Sequence, residues 1–173
     1  MGQPSIAKDE RKARRLFNRG WRRNAKGAHA DALPYLREAL ALRKRALELV
    51  EASPDAQQEE MRVRRHKEIA HTLTELAFTC FQLVLPDEVI DYSQQSIEHF
   101  REIADGAGES GALNDLGKVY ENMLKTSEAI EHYQEALTLA QEVGAHDAEL
   151  TARRSLFRLY TELKAFDEAK KYL

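Results

Sequence analysis

Small and large apolar residues return along this chain in one frame. Leu116-Gly117-x-x-Tyr120 and Leu156-Phe157-x-x-Tyr160 stand at an offset of 40, and the same offset carries Ser127-Glu128-Ala129 to Asp167-Glu168-Ala169. Going back by 40 reaches Leu76-Ala77-x-x-Cys80 and Asp87-Glu88-Val89. A weaker echo lies earlier. The step from Gly20 to Ala32 equals the step from Gly117 to Ala129, and Leu36 and Ala39 match Tyr133 and Ala136. No segment alternates over a useful length, so no strand is predicted. The pattern predicts helices near 6–26, 29–52, 54–84, 87–104, 110–124, 127–143, 147–163 and 166–173. Ser53 followed by Pro54 reads as an N-cap with proline at the first helical position. Asp87 and Ser127 are cap-type residues at two other starts. Gly27 and Gly144 sit where helices should stop.

Each unit of the frame has a small residue where two helices approach closely, a large apolar residue three later, and a second small residue on the next helix. This pattern resembles the tetratricopeptide repeat (TPR), best in Leu113, Leu116, Gly117, Tyr120, Ala129, Tyr133 and Ala136. The period of 40 is similar to the longer-helix subclass of the Leu-Gly-Asn repeat protein (LGN/Pins) and rapsyn. The resemblance implies an all-α, right-handed solenoid of about four helix pairs, with units near 8–50, 54–104, 110–143 and 147–173. The frame breaks once, because the step from Gly20 to Ala77 exceeds the period by 17. The insertion predicts an antiparallel hairpin, 29–52 with 54–84, lengthened beyond the body by about 12 Å at 1.5 Å per residue.

The resemblance also implies a peptide groove lined by the first helix of each pair. Carried over position by position, its slots are Phe17 and Trp21, then Thr74 and Phe78, then Asn114 and Lys118, then Arg154 and Arg158. The subclass places asparagine directly after Leu-Gly. Lys118 stands there in this chain, with Trp21, Phe78 and Arg158 in the other units. The expected groove therefore runs from aromatic to basic and suits an extended peptide or helix of a partner protein with an apolar end and an acidic end.

Composition narrows the classes. The 173 residues hold 26 Lys and Arg against 29 Asp and Glu, with 43% apolar residues, 8 Gly, 4 Pro and 1 Cys. That apolar fraction is too high for a disordered chain. The longest uncharged apolar stretch, residues 76–86, falls well short of the roughly 18–20 residues that span a bilayer. A single cysteine forms no internal disulfide, which points to a reducing compartment. A cytoplasmic setting is expected, with cytoskeletal, ciliary and nuclear ones left open. No apolar core follows the early charges, so no signal peptide is read. Residues 1–6 miss the myristoylation pattern, which wants Ser or Thr where Ile6 stands. The pattern ends mid-unit at Lys171-Tyr172-Leu173, which predicts further repeats or a covering partner.

The net charge of −3 hides a polarity. Residues 1–70 carry 17 basic and 10 acidic residues, whereas residues 71–173 carry 9 and 19. On the predicted hairpin, Arg43, Lys44 and Arg45 fall level with Arg62, Arg64 and Arg65, with Lys67 one turn lower. Such a band could engage an acidic tail or lattice; as a surface charge run it reads first as a solvated helix face with internal ion pairs. The first helix adds Arg11, Lys12, Arg14, Arg15, Arg19, Arg22, Arg23 and Lys26, which should face water beside the apolar stripe of Ala13, Leu16, Phe17, Gly20 and Trp21.

Catalytic motifs are weak by comparison. Gly106-Ala-Gly108-Glu-Ser-Gly111 matches a dinucleotide fingerprint but follows a helix, not a strand, and reads as an inter-repeat loop. Gly117-Lys118 lacks the spacing and hydroxyl residue of a phosphate loop. His66 and His71 are five positions apart, about 140° around a helix, where a zinc site needs four. Cys80 takes the packing slot of Tyr120 and Tyr160. No nucleophile and base stand together. The sequence therefore predicts a non-enzymatic adaptor or scaffold with no cofactor or metal. The alternative is a structural subunit of a large assembly that contacts acidic surfaces through its basic half; nucleic acid lacks a reader motif here.

Overall fold

The computed structural model describes residues 6–52 and 58–173 and is helical throughout. The elements are α1 (Ile6–Asn24), α2 (His29–Glu51), α3 (Gln58–Gln82), α4 (Pro86–Glu102), α5 (Gly106–Asn122), α6 (Thr126–Glu142), α7 (His146–Glu162) and α8 (Phe166–Ala169), with a closing 3₁₀ turn at Lys170–Tyr172. They fall into two compact units that divide after Ile103. The Ser53-Pro54 cap, the hairpin turn and most of the myristoylation pattern lie outside the described residues.

The first unit holds the hairpins α1/α2 and α3/α4, joined by packing of α2 on α3. Its core is Ala32, Leu36, Leu40, Leu47, Ile69, Leu73 and Leu76, with Phe17, Leu33 and Tyr92 against it. The second unit stacks α5, α6, α7 and α8 in turn. Its core is Ala129, Tyr133, Leu156 and Leu159, flanked by Tyr120, Ile130, Leu137, Tyr160 and Tyr172. The frame residues are where the helices touch. A Cβ at Gly20 would stand 2.7 Å from Leu36 Cγ, and one at Gly117 would stand 2.6 Å from Tyr133 Cε1. Both glycines therefore exist for approach distance, since nothing in their helical conformation requires them.

Five helices stop in one way, and the stops are evenly spaced, two to each period of the frame. Val84, Ala104, Leu124, Gly144 and Lys164 all have positive φ, between 51° and 67°. At Val84 the following amide of Leu85 donates to Cys80 O at 3.0 Å while Val84 N donates to Phe81 O at 3.1 Å. The same pair of bonds recurs around Leu124, Gly144 and Lys164. This double bond satisfies carbonyls left over at a helix C-terminus, and it needs a left-handed residue. Glycine marks only Gly27 and Gly144, so the other stops leave no glycine in the sequence.

Two expectations need correction. Gly106–Gly111 is not a loop but the first turn and a half of α5, begun by Asp105, whose carboxylate accepts from Gly108 N at 3.0 Å. Asp87 and Ser127 lie inside their helices, because α4 starts at Pro86 and α6 at Thr126. The extra length does reside in α2 and α3, which have 23 and 25 residues against 17 in each of α4 to α7. Part of it is packed rather than bare, since Leu47, Val50, Arg65 and His66 are all buried.

Two substitutions separate approach distance from conformational strain. Gly117→Ala should lower stability by about 1–3 kcal/mol, because the methyl overpacks Tyr133 and outweighs alanine's helix propensity. Val84→Gly should raise stability by about 1 kcal/mol, because a β-branched residue is strained at this φ. Urea unfolding of both variants checks the opposite signs.

Candidate functional site

The first helices of the pairs are α1 and α3 in one unit and α5 and α7 in the other. Between α1 and α3 runs an open groove of about 510 Å³, lined by Phe17, Asn18, Trp21, Arg43, Glu68, His71, Thr74 and Glu75. Three of the predicted slots in this unit thus share one wall-to-wall surface. Trp21 is 51% and Phe78 46% exposed, large apolar rings left in water. Phe78 meets His29 edge-on at 5.8 Å between ring centres. Thr74 is less available, because its hydroxyl donates to Ala70 O at 3.1 Å and lies 3.0 Å from Ser96 Oγ. The α1 end of the groove is fixed from below. Asn24 donates to Glu75 Oε2 at 3.2 Å and to Thr79 Oγ1 at 2.8 Å. Burial pushes the Glu75 carboxyl up, partly offset by that Asn24 bond.

Between α5 and α7 lies a second groove of about 540 Å³, lined by Asn114, Asp115 and Lys118 from α5 and by His146, Asp147 and Thr151 at the start of α7, with small residues between. Asn114 is 2% exposed, and its Oδ1 has no hydrogen-bond partner. A buried, unpaired carbonyl oxygen is costly unless something completes it. Lys118 stands at the rim, where its ammonium reaches Asp115 at 2.9 Å.

Arg154 and Arg158 do not line this groove. Arg154 is exposed. Arg158 is gripped by Glu121 at 2.5 and 2.7 Å and by Glu162 at 3.0 Å. Tyr133 donates its hydroxyl to the same Glu121 at 2.7 Å. The Arg158 guanidinium holds the Glu121 carboxyl below its usual range, and burial raises the Tyr133 phenol. Arg158 is therefore the keystone of a bond network across α5, α6 and α7. Sequence reading misses Glu121, whose only signal is its place four positions after Gly117.

A profile of the tetratricopeptide repeat matches residues 68–141 and 109–173, and a second matches residues 24–55. The chain belongs to the tetratricopeptide repeat family. No curated protein matches it by sequence. Among solved structures it resembles aspartyl phosphate phosphatase F from Bacillus subtilis, with TM-score 0.77 and 14% identity over 99% of this chain and 39% of that one. It also resembles the TPR-like repeats of a putative kinesin light chain from Podosopora anserina, with TM-score 0.59 and 15% identity over 95% of this chain and 72% of that one. A signal transduction ATPase with a TPR sensor from Pyrococcus horikoshii gives TM-score 0.57 and 20% identity, over 96% and 29% of the two chains. The TPR chain thus spans less than half of two of these three structures. Family membership supports a role in protein–protein interaction. No helix among the described residues is long and apolar enough to cross a membrane.

Most cations of the predicted basic band of the TPR chain are engaged within the chain. Arg43 is buried and donates to Glu68 O at 2.7 Å and to the Thr72 hydroxyl. It shares a cleft between α2 and α3 with Arg64 and Arg65. Arg65 is buried against Glu10 and Glu68. Arg62 pairs with Glu59, Arg64 with Glu68, and Lys44 donates to Gln95 at 2.7 Å. Arg45 and Lys67 remain exposed.

The two histidines of the weak zinc pattern part company. His66 turns to His99, Nδ1 to Nδ1 at 2.9 Å, and His71 packs edge-on against Phe100. Such a ring pair needs one imidazole as donor and the other as acceptor. Burial, then the neighbouring His66 and Lys44, push the His99 imidazole down to about 4, against a smaller upward pull from Glu102. Cys80 is buried, and its thiol is pushed up to about 12 by burial and by Glu88. That is the opposite of a reactive thiolate.

Folding excludes a proton from His99. The unfolded chain takes up the proton near pH 6.5 and the folded chain only near 4, so stability is full above 6.5 and falls between them. The single tryptophan, Trp21, reports on this unit. Its fluorescence should show the urea midpoint dropping from pH 7.5 to 4.5, and dropping less in His99→Gln.

Proposed function

We propose that this TPR chain is a non-enzymatic adaptor that binds an extended peptide of a partner protein in the grooves between its first helices. Asn114 carries the reading. A buried, unpaired carboxamide carbonyl beside a groove calls for a donor, and a peptide N–H laid along the groove can supply it. Trp21 and Phe78 support it in the other unit as apolar anchors of the kind that dominates binding energy.

The partner's expected chemistry changes with the pairing of the cations. Lys118 and Arg158 already face carboxylates, so the groove between α5 and α7 asks for backbone hydrogen bonds more than for acidic side chains. Glu75 and Glu68 in the groove between α1 and α3 favour a donor beside the apolar anchor. The ligand that fits best is an extended segment with one large apolar residue and little negative charge.

Selection from a displayed peptide library on the purified chain tests this. Peptides that occupy the groove between α1 and α3 should bind about 5- to 30-fold more weakly to Trp21→Ala, and those in the groove between α5 and α7 equally more weakly to Asn114→Ala, equivalent to roughly 1–2 kcal/mol each. Arg45→Ala should bind as the parent does. A selection that yields no binder, or binders indifferent to both changes, defeats the reading.

A further inference from the structure

The outward face of α1 is the place where the pairing of charges stops. Arg15, Arg19, Arg22, Arg23 and Lys26, with Asn18, line an open cleft of about 720 Å³. Among the described residues none of these five cations reaches a carboxylate, whereas the nearby Lys12 pairs with Glu38 at 2.6 Å. Two of the five are held in place. The guanidinium carbons of Arg19 and Arg23 lie 4.7 and 4.6 Å from the centre of the Tyr35 ring. Stacking on one ring limits the freedom that binding would otherwise remove.

The spacing of the face is regular. Positions 15, 19 and 22 follow i, i+4 and i+7, one stripe along about 11 Å of α1, and Lys26 extends it in the turn just past Asn24. Helix α6 carries the complementary stripe at the same intervals. Positions 131, 135, 138 and 142 are Glu131, Glu135, Thr138 and Glu142. All are exposed, and α6 contains neither lysine nor arginine. The only partner of these carboxylates among the described residues is His132, 3.7 Å from Glu135.

We propose that α1 of one copy of this chain docks along α6 of a second copy, arginine stripe against glutamate stripe. The contact joins two different surfaces, so it closes reciprocally in a two-fold pair or continues head to tail from copy to copy. It adjoins the groove between α1 and α3, with Asn18 on the boundary of both. A nucleic-acid backbone is the competing occupant of such a ridge, but only the second copy supplies charges in the matching register.

Sedimentation equilibrium over a range of protein concentration tests the contact. At low salt the average mass should rise with concentration. At about 1 M salt, where charges are screened within roughly 3 Å, it should return to the monomer. The variant Arg15→Glu, Arg19→Glu, Arg22→Glu, Lys26→Glu should stay monomeric, as should Glu131→Lys, Glu135→Lys, Glu142→Lys. Mixed together, the two variants should associate, because each then offers a stripe opposite to the other's. That restoration also shows that both are folded. A wild-type monomer at every salt, a reversed variant that associates like the parent, or a mixture that stays monomeric overturns the proposal. So does a monomeric wild type whose ridge binds a single-stranded RNA oligonucleotide in a salt-dependent way.

Discussion

Close approach of paired helices at a residue without a side chain is the constraint on which the molecule rests. An isolated hairpin of amphipathic helices cannot bury both apolar faces, and only stacking on a neighbour supplies a core. Where Gly117 meets Tyr133 and Gly20 meets Leu36, the space a methyl group would fill is taken by the other helix. That proximity brings Tyr133 within reach of Glu121, and Glu121 in turn holds Arg158. One missing side chain thus fixes three helices and consumes a cation that the groove would otherwise present.

The same packing explains how much is legible in the sequence. The frame of small and large residues gives the pairs, because it is a direct imprint of the contacts. It does not give the stops. Val84, Ala104, Leu124 and Lys164 take a left-handed conformation that any residue adopts at some strain, so their sequence carries no mark. The glycines of α5 mislead for the converse reason. Gly106 is excluded from carrying a side chain by Val143, only 2.6 Å from where its Cβ would be, and the helix runs through it once Asp105 caps the end.

Site residues divide along the same line. Trp21 and Phe78 are readable, since a large ring at a first-helix slot either caps the core or faces the groove, and exposure decides. Asn114 is readable as a slot but not as an unpaired carbonyl, which depends on what other helices fail to offer. The basic slots mislead because charge is read one residue at a time, whereas Arg43, Arg65 and Arg158 are set by partners far along the chain: Glu68 for Arg43, Glu10 for Arg65 and Glu121 for Arg158. For these three, part of the pairing comes from residues distant in sequence. What survives it, the stripe on α1, is the polarity of the chain reduced to its unspent part.

The central claim is that a peptide completes the carbonyl of Asn114. Side-chain amide resonances report this directly in a ¹⁵N-labelled chain titrated with a selected peptide. The account predicts that the Asn114 carboxamide signal moves with the bound fraction of a peptide selected for the groove between α5 and α7. Shifts confined to residues of α4 and α6, with Asn114 unmoved at saturation, would contradict it.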